Sequence, residues 1–379
     1  MKKNSRTLKI LLGILATLFA LQILQYQFGF IKIQPLSGYY IAAEKQDFSL
    51  KEWFAGTYQE KTDQYLNEFF GFRSFFIRVN HQICYSFFNK AKAGYVQVGK
   101  ENYLYEENYI KAYYGDDYIG KDSIAQRMYM LKSVQDTLSK MGKSVVWVLT
   151  SGKGSFYPEY IPERFHKKRD TTNAEIYLHY AEQLGINHIN FSEYFQSIKE
   201  SSPYPLYPQF GIHWSYYSIC WAADSITRYI EQLRDIEMPH IFWEEVRMRR
   251  PDKGDRDISQ SMNLLFPPKT FDMAYPVVQF ESDSGKTKPS LIAIADSFYW
   301  GVYSLGWGNH LFTNNQFWYY NQEFRKADVP DVLTPEQINL AEEILNNDVF
   351  LILGTDANLP NLGWGFIEDA YRLFFSDCE

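Results

Sequence analysis

A short apolar run that ends in Asp-Ser constrains the fold of this chain more than any other stretch. Residues 291–295 read Leu-Ile-Ala-Ile-Ala, with Pro289 just before them and Asp296-Ser297 directly after them. A run of this kind is typical of a strand buried on both faces of a parallel sheet. Because ligands bind beyond the carboxyl ends of the strands in open α/β sheets, Ser297 is a candidate nucleophile. A serine here is equally suited to capping the next helix.

His213 is the candidate base for that serine, in the segment Phe-Gly-Ile-His-Trp-Ser at 210–215. A serine hydroxyl becomes a good nucleophile only when a base takes its proton, and the unperturbed pKa of histidine suits that task near neutral pH. The other histidines of the chain lie in segments without an accompanying motif. A histidine next to a tryptophan is also a common packed, structural residue, so the prediction depends on His213 and Ser297 together.

Two more apolar runs, 145–149 and 349–353, predict buried strands that end in polar residues. The predicted fold is therefore α/β, a mostly parallel sheet flanked by helices, with one crevice at the carboxyl edge of the sheet. The polar residues that follow are Ser151 and Lys153 after the first run, and Asp356 and Asn358 after the second. Ser151, Lys153 and Asn358 are candidates for contact with substrate, and the alternative is that such loop residues only cap and solvate the chain.

Four segments resemble those of the SGNH-hydrolase-like alginate O-acetyltransferases, the AlgJ and AlgX type. Members of that family carry Asp-x-His-Trp and, several dozen residues later, Gly-Asp-Ser-Phe; the matching residues here are 211–214 and 295–298. Residues 99–105 resemble the family's Gly-Lys-Asp-Gly-Trp-Leu-Phe segment, and 153–162 resemble its proline-bearing loop. The resemblance extends over roughly residues 65–379 and implies an SGNH-hydrolase-like domain. It also implies O-acetyl transfer to an extracytoplasmic polysaccharide. Since the residues show no metal-binding or nucleotide-binding motif, we expect no metal and no cofactor.

The resemblance assigns roles to individual residues. Ser297 would attack an acetyl donor while His213 takes its proton, and the acetyl group would then pass to a sugar hydroxyl. The backbone N–H of Ser297 would hold the oxyanion in this mechanism. Residues 314–320 form a polar and aromatic cluster that suits a sugar, an oxyanion donor or simple core packing, so an amide from Asn314 or Asn315 is the candidate second donor. Trp214 is a further candidate for contact with substrate. Family members often act beside a membrane-bound acyltransferase that brings acetyl across the bilayer, so such an enzyme is the expected partner.

One position departs from the family pattern, because Gly211 stands where the family has the aspartate that orients the histidine. Neutralising that carboxylate in a serine protease costs about 10⁴ in rate. Asp356 and Asp257 are the candidate replacements; otherwise a Ser-His pair acts alone, or the chain is inactive. If the missing carboxylate limits the rate, Gly211→Asp is expected to raise it. The alternatives to an O-acetyltransferase are a carbohydrate acetylesterase and a non-catalytic, membrane-anchored protein that binds or assembles a polysaccharide.

Composition excludes other classes of function. The formal net charge is −7, so no basic field favours nucleic acid. The chain has 3 cysteines, none in a metal-binding or redox spacing, and no phosphate-binding loop. Cys84 and Cys220 lie in apolar segments and are predicted to be buried as small hydrophobic residues. The segment from Arg247 to Asp257 is rich in charge, which is typical of solvated surface, and we expect no chemistry from it as a whole.

The N-terminus has the pattern of an export signal. Lys2, Lys3, Arg6 and Lys9 precede an apolar stretch from Ile10 to about Leu24. We predict an uncleaved signal anchor at 1–31, a helical lead-in at 32–95 and the SGNH-hydrolase-like domain at 96–379, on the extracytoplasmic (periplasmic) face of the membrane. A cleaved signal peptide is the alternative for the first segment.

Overall fold

In a computed structural model, the structure describes residues 2–38 and 43–375 and divides into two compact units. The first unit comprises residues 1–94 and 259–268, and the second comprises residues 95–258 and 269–379. The division into an anchor, a lead-in and an SGNH-hydrolase-like domain stays a prediction. Cys378 lies outside the described residues.

The first unit is helical. Its helices are α1 (Lys2–Phe28), α2 (Leu50–Ala55), α3 (Thr57–Phe69) and α4 (Arg73–Phe88). Within the described part of the chain, only Arg6–Phe28 of α1 is long and apolar enough to cross a membrane, with a mean hydropathy of 2.1. By length and composition it suits an anchor or a signal sequence. Cys84 of α4 is only half-buried, so its predicted burial is wrong, whereas Cys220 in the second unit is buried as predicted.

The second unit is built on a six-stranded sheet. Its strands, in spatial order, are β11 (Glu323–Lys326), β10 (Asn315–Tyr319), β9 (Leu291–Ala295), β12 (Val349–Thr355), β3 (Ser144–Thr150) and β4 (His188–Asn190). All neighbouring pairs are parallel except β10 with β11. Every residue of β9, β12 and β3 is buried, because helices flank the sheet and the apolar runs have no solvated face. The predicted α/β fold with a mostly parallel sheet is confirmed.

Helices and short strands complete the second unit. Its other elements are β1 (Val96–Val98), β2 (Leu104–Glu106), α5 (Glu107–Tyr114), α6 (Lys121–Lys140), α7 (Lys153–Phe156), α8 (Asn173–Leu184), α9 (Phe191–Ser197), α10 (Tyr216–Arg234), β5 (Ile241–Phe242), β6 (Val246–Arg249), α11 (Asp257–Ser261, at the boundary of the units), β7 (Met273–Pro276), β8 (Gln279–Phe280), α12 (Tyr299–Ser304), α13 (Trp307–Leu311), α14 (Leu340–Asn346) and α15 (Phe366–Phe375). Residues of α6, α8 and α15 form one core with alternate residues of the central strands, among them Trp147, Ile294 and Ile352. On α10, Thr227 accepts a hydrogen bond from the indole of Trp307 at 2.9 Å.

The register of the parallel strands decides which polar residues share an edge of the sheet. Leu353 of β12 lies opposite Ala295 of β9, and Thr355 lies opposite Thr150 of β3. The segments that follow these three strands therefore meet at the carboxyl edge, as predicted. Asn315 instead lies opposite Leu291, at the start of β9.

The predicted oxyanion role of Asn314 and Asn315 is therefore wrong. At about 3.3 Å per residue, the length of β9 separates them from Ser297 by about 20 Å. Their side chains bond within the opposite edge, to Asn347 at 3.0 Å and to Asn309 at 3.1 Å respectively. A strand that runs parallel to β9 brings only the residues after its carboxyl end near the serine.

The central strand β12 supplies a stability test. Ile352 is fully buried and lies between Trp147 of β3 and Ile294 of β9. We expect Ile352→Ala to lower the free energy of unfolding by about 2–5 kcal/mol and Ile352→Val by about 0.5–1.5 kcal/mol, because the larger deletion leaves a larger cavity. Urea titration followed by circular dichroism measures both. Equal, small losses would show that the core at β12 is loosely packed.

Candidate active site

Ser297 is held at the end of β9 by its neighbour Asp296. The buried carboxylate of Asp296 accepts hydrogen bonds from the backbone of Phe298 at 2.9 Å and of Thr355 at 2.8 Å. It also accepts from the side chains of Thr355 at 2.9 Å and Asn358 at 2.8 Å. Burial raises the pKa of Asp296 even though these donors act to lower it. The N-cap of α12 is Phe298, so the turn leaves the Ser297 hydroxyl for other contacts.

His213 bonds that hydroxyl directly. Its Nε2 lies 3.0 Å from Ser297 Oγ, and its Nδ1 lies 2.7 Å from Asp257 Oδ2. With the ring proton on Nδ1, the histidine donates to the carboxylate and accepts from the serine. The ring of Phe298 packs edge-on against the imidazole at 4.9 Å. Ser215, which caps α10 through the backbone N–H of Ser218, fixes the segment just after His213.

Asp257 is the carboxylate that contacts His213, although it follows the histidine by 44 residues. Its second oxygen, Oδ1, accepts the backbone N–H groups of Ile212 at 2.9 Å and Ile258 at 2.7 Å. The carboxylate is thus tied to the histidine segment at two points. Our expectation that no chemistry comes from the charged segment ending at Asp257 is wrong, because its last residue contacts the histidine.

Asp356, the other candidate acid, does not reach His213. It is buried and accepts the backbone N–H groups of Gly152 at 2.9 Å and Ala357 at 2.8 Å, and it also accepts the hydroxyl of Ser155. Burial raises the pKa of Asp356 to about 6, while these donors act to lower it. Asp356 therefore joins the loops after β3 and β12 rather than orienting the base.

The space that the family aspartate would fill at position 211 is taken by the main chain that delivers Asp257. A Cβ placed on Gly211 would lie 2.9 Å from the carbonyl carbon of Asp255 and 2.8 Å from Cγ of Pro208. Real Cβ atoms essentially never approach other atoms this closely, so the chain must shift to admit one. Gly211 leaves the space through which the main chain passes, and that main chain brings Asp257 to the histidine.

Lys153 is buried and holds the segment that carries the histidine. Its Nζ donates to the carbonyls of Gln209 at 2.7 Å and Gly211 at 2.8 Å. The ammonium also lies 5.6 Å from the ring centre of Tyr103 and 5.7 Å from that of Tyr105. Burial lowers the pKa of Lys153 well below its ordinary value, against the opposing charge of Asp257. The predicted contact of Lys153 with substrate is wrong, since no part of the side chain is exposed.

The remaining predicted residues lie in the walls of the site. Ser151 is buried and donates to Ser192 Oγ at 2.7 Å. Trp214 is buried and its indole donates to the Phe298 carbonyl at 3.1 Å. Asn358 uses its amide nitrogen on Asp296 and on Thr355 Oγ1 at 3.1 Å. The structure thus brings Asn358 near the nucleophile only through Asp296, and the predicted substrate contacts of Ser151 and Trp214 are wrong.

Two residues near the site escaped sequence reasoning. Glu106, at the end of β2, is half-buried; burial and the charge of Asp257 raise its pKa, while His213 acts to lower it. Tyr320 follows β10 beside the end of β9, and its phenol lies close enough to Ser297 for that serine to act on the pKa of the phenol. No motif marks Glu106 in the sequence. Tyr320 ends the polar and aromatic run that contains Asn314, but only the direction of β10 shows which end of that run reaches the serine.

The charge of Asp257 sets the proton affinity of the base. Burial lowers the pKa of His213, but the hydrogen bond and the charge of Asp257, with smaller contributions from the charges of Asp296 and Glu106, raise it, and the net pKa is raised. Among the described residues, no cluster of three or more His, Cys, Asp or Glu is placed to bind a metal ion. The chemistry available from these side chains is proton transfer from a serine hydroxyl to a histidine supported by a carboxylate.

Residues 96–257 match the family model described as the SGNH hydrolase-like domain of the acetyltransferase AlgX. This part of the chain is similar to the SGNH hydrolase-like domain of the AlgX type. The match includes His213 and Asp257 and ends before Ser297. The resemblance read from the sequence, and the SGNH-hydrolase-like fold that it implies, are confirmed. No curated protein sequence matches the chain.

Several solved structures are similar to this chain. The O-acetyltransferase domain of Pseudomonas putida AlgJ is 13% identical, with a TM-score of 0.47, over 73% of this chain and 99% of that domain. Pseudomonas aeruginosa AlgX is 12% identical, with a TM-score of 0.44, over 72% of this chain and 67% of AlgX. Bacillus cereus PatB1 is 13% identical, with a TM-score of 0.43, over 70% of this chain and 96% of PatB1.

Asp257→Asn tests the acid. Because the carboxylate raises the pKa of His213, its removal should lower that pKa. A base acts when it is neutral, so the acid limb of the pH–rate profile should move to lower pH while the plateau rate falls, by up to about 10⁴ as in a serine protease. Hydrolysis of p-nitrophenyl acetate across pH measures both. Asp252→Asn, an exposed carboxylate on the same segment, is the control, and an unmoved acid limb would contradict the role of Asp257.

Gly211→Ala tests whether the glycine and the acid are linked. The added methyl group must displace the main chain at Asp255, so activity should fall at least tenfold although no functional group is removed. For the same reason Gly211→Asp should lower the rate, which reverses the expectation from sequence. Gly254→Ala is the matched control, because a Cβ there meets no atom within 4 Å. Equal activities of the two alanine variants would mean that the main chain at Asp255 can shift without loss of activity.

Proposed function

We propose that this chain is an O-acetyltransferase that modifies an extracytoplasmic polysaccharide through an acetyl group carried on Ser297. The observation that carries the proposal is the chain of contacts from Ser297 Oγ to His213 Nε2, at 3.0 Å, and from His213 Nδ1 to Asp257, at 2.7 Å. The serine contacts the histidine and the histidine contacts the carboxylate, which is the sequence of contacts that activates a serine as a nucleophile. The acetyltransferase family of residues 96–257 supports acetyl as the group transferred.

The first half-reaction loads the serine. As Ser297 Oγ attacks the acetyl carbonyl of the donor, its proton moves to His213 Nε2 and the carbonyl electrons move to the oxygen. Asp257 stabilises the imidazolium that forms. When the tetrahedral intermediate collapses, the donor's leaving group departs with the proton from His213, and an acetyl ester remains on Ser297.

The second half-reaction transfers the acetyl group to a sugar. A hydroxyl of the polysaccharide gives its proton to the neutral His213 and attacks the ester. Collapse of this second intermediate returns the proton to Ser297 Oγ and releases the acetylated sugar. Water in place of the sugar would give an acetylesterase, so the acceptor alone distinguishes these two functions.

The proposed location follows from the N-terminal segment. An apolar helix at Arg6–Phe28 behind basic residues suits a membrane anchor or an export signal, with the rest of the chain outside the cytoplasm. Acetyl donors of the cytoplasm would not reach a serine there. We therefore propose a membrane-bound acyltransferase as the partner that delivers the acetyl group.

The alternative of a non-catalytic polysaccharide-binding or assembly protein rested on the glycine at 211. The contact of Asp257 with both His213 and the backbone of Ile212 supports the enzyme over this alternative. An inactive relative would have no requirement for a carboxylate on the far nitrogen of the histidine. The balance of observations favours the enzyme.

Ser297→Ala and His213→Ala test the proposal. Wild-type protein given p-nitrophenyl acetate should release a burst of nitrophenol and gain the mass of one acetyl group. Both variants should lose the burst, because either the nucleophile or its base is missing. Ser304→Ala, an exposed serine at the end of α12, is the matched control. A folded wild-type protein without a burst above Ser297→Ala would refute the enzyme and favour the binding role.

A further inference from the structure

The oxyanion formed on Ser297 needs a second hydrogen-bond donor beside the backbone N–H of that serine. Asn314 and Asn315 lie at the other edge of the sheet, and the amide nitrogen of Asn358 is used on Asp296 and Thr355. The indole N–H of Trp214 is used on the Phe298 carbonyl. Each removed donor of an oxyanion hole costs about 10²–10³ in rate, so the identity of the second donor matters.

Tyr320 brings a hydroxyl to this position. It directly follows β10, whose last residue, Tyr319, lies opposite Ala295 of β9. The backbone N–H of Tyr320 donates to the Ala295 carbonyl at 2.9 Å, two residues before the nucleophile. This register brings the phenol close enough to Ser297 for the side chain and the backbone N–H of that serine to act on the pKa of the phenol. The phenol therefore lies beside the group that any oxyanion on this serine must contact.

The backbone of Tyr320 is in an unusual conformation. Its φ is 50°, in the left-handed region that bulky residues rarely adopt. The ring packs at 4.4 Å from that of Tyr319 and 5.2 Å from that of Trp364. Trp364 is itself left-handed, with φ 46°, and its carbonyl accepts the Asn321 amide at 3.2 Å. Strain of this kind persists only where the surroundings hold it and clusters at functional sites.

We propose that Tyr320 is a catalytic residue whose hydroxyl, with the Ser297 backbone N–H, forms the oxyanion hole. This inference rests on the proposed acetyl transfer. When the donor binds, its carbonyl oxygen takes the place between the Ser297 N–H and the Tyr320 hydroxyl. As Oγ bonds to the carbonyl carbon and its proton passes to His213, the phenol donates to the negative oxygen and keeps its own proton. Collapse of the intermediate restores the carbonyl and releases the contact.

The protonation of Tyr320 suits this role. Burial, followed by the charge of Asp296, raises the pKa of the Tyr320 phenol far above its ordinary value, although Ser297 acts to lower it. The phenol is neutral throughout the pH range in which His213 titrates. It therefore remains a hydrogen-bond donor wherever the base is active.

Tyr320→Phe tests the proposal because it keeps the ring and removes only the hydroxyl. Using full-length protein and p-nitrophenyl acetate, we expect kcat for acylation to fall by about 10² with KM within threefold, since the lost contact is made mainly in the transition state. Tyr303→Phe, which removes a phenol packed against Trp300 and Phe317 in the same aromatic cluster, is the matched control. It should retain the wild-type kcat.

The outcomes separate this inference from the proposed function. A wild-type burst that Ser297→Ala abolishes, together with a Tyr320→Phe kcat within threefold of wild type, would overturn the role of Tyr320 and leave the acetyltransferase intact. No wild-type burst would overturn both. If Tyr320→Phe melts at a lower temperature than wild type, a crystal structure of the wild-type protein with methanesulfonyl fluoride bound to Ser297 decides. A sulfonyl oxygen within 3.2 Å of the Tyr320 hydroxyl supports the proposal, and a phenol turned away from the adduct refutes it.

Discussion

The buried carboxylate of Asp296 is the interaction on which the site depends. It joins the end of β9 to the end of β12 by accepting from Phe298 on one side and from Thr355 and Asn358 on the other. A buried carboxyl group in this position is stable only because several donors compensate for its lost hydration. Those donors fix the turn between strand and helix and so set where the Ser297 hydroxyl points. The remaining groups of the site are arranged around that point.

Short sequence patterns predict the strands of the sheet, because each strand depends on a short run of neighbouring residues. The runs that became β3, β9 and β12 are apolar throughout because both faces of the sheet are covered. Ser297 is predicted from its position directly after such a run. The predicted role of Asn314 is wrong because the composition of a segment does not show at which end of a strand the segment lies. It lies just before a parallel strand, and the amino end of that strand is far from the carboxyl edge.

The spacing of residues in the sequence does not show which carboxylate contacts His213. It leaves Asp257 and Asp356 as candidates and does not distinguish between them. Asp356 directly follows β12, yet its oxygens accept hydrogen bonds from Gly152 and Ser155, which follow β3. Asp257 closes a charge-rich segment that reads as solvated surface. Only the folded chain shows that this segment passes over Gly211 and carries its last carboxylate to the histidine.

Because the acid and the base lie far apart in the sequence, the segment that carries the acid can change without a change in the histidine segment. In a triad whose aspartate lies two residues before the histidine, one short segment fixes both, and neither can be altered alone. Here the acid comes from a segment 44 residues away, behind two short strands that take no part in the central sheet. Changes in length or sequence there can adjust the basicity of the histidine without touching the strand that carries the nucleophile. A pattern search that requires the acid next to the histidine will pass over chains built in this way.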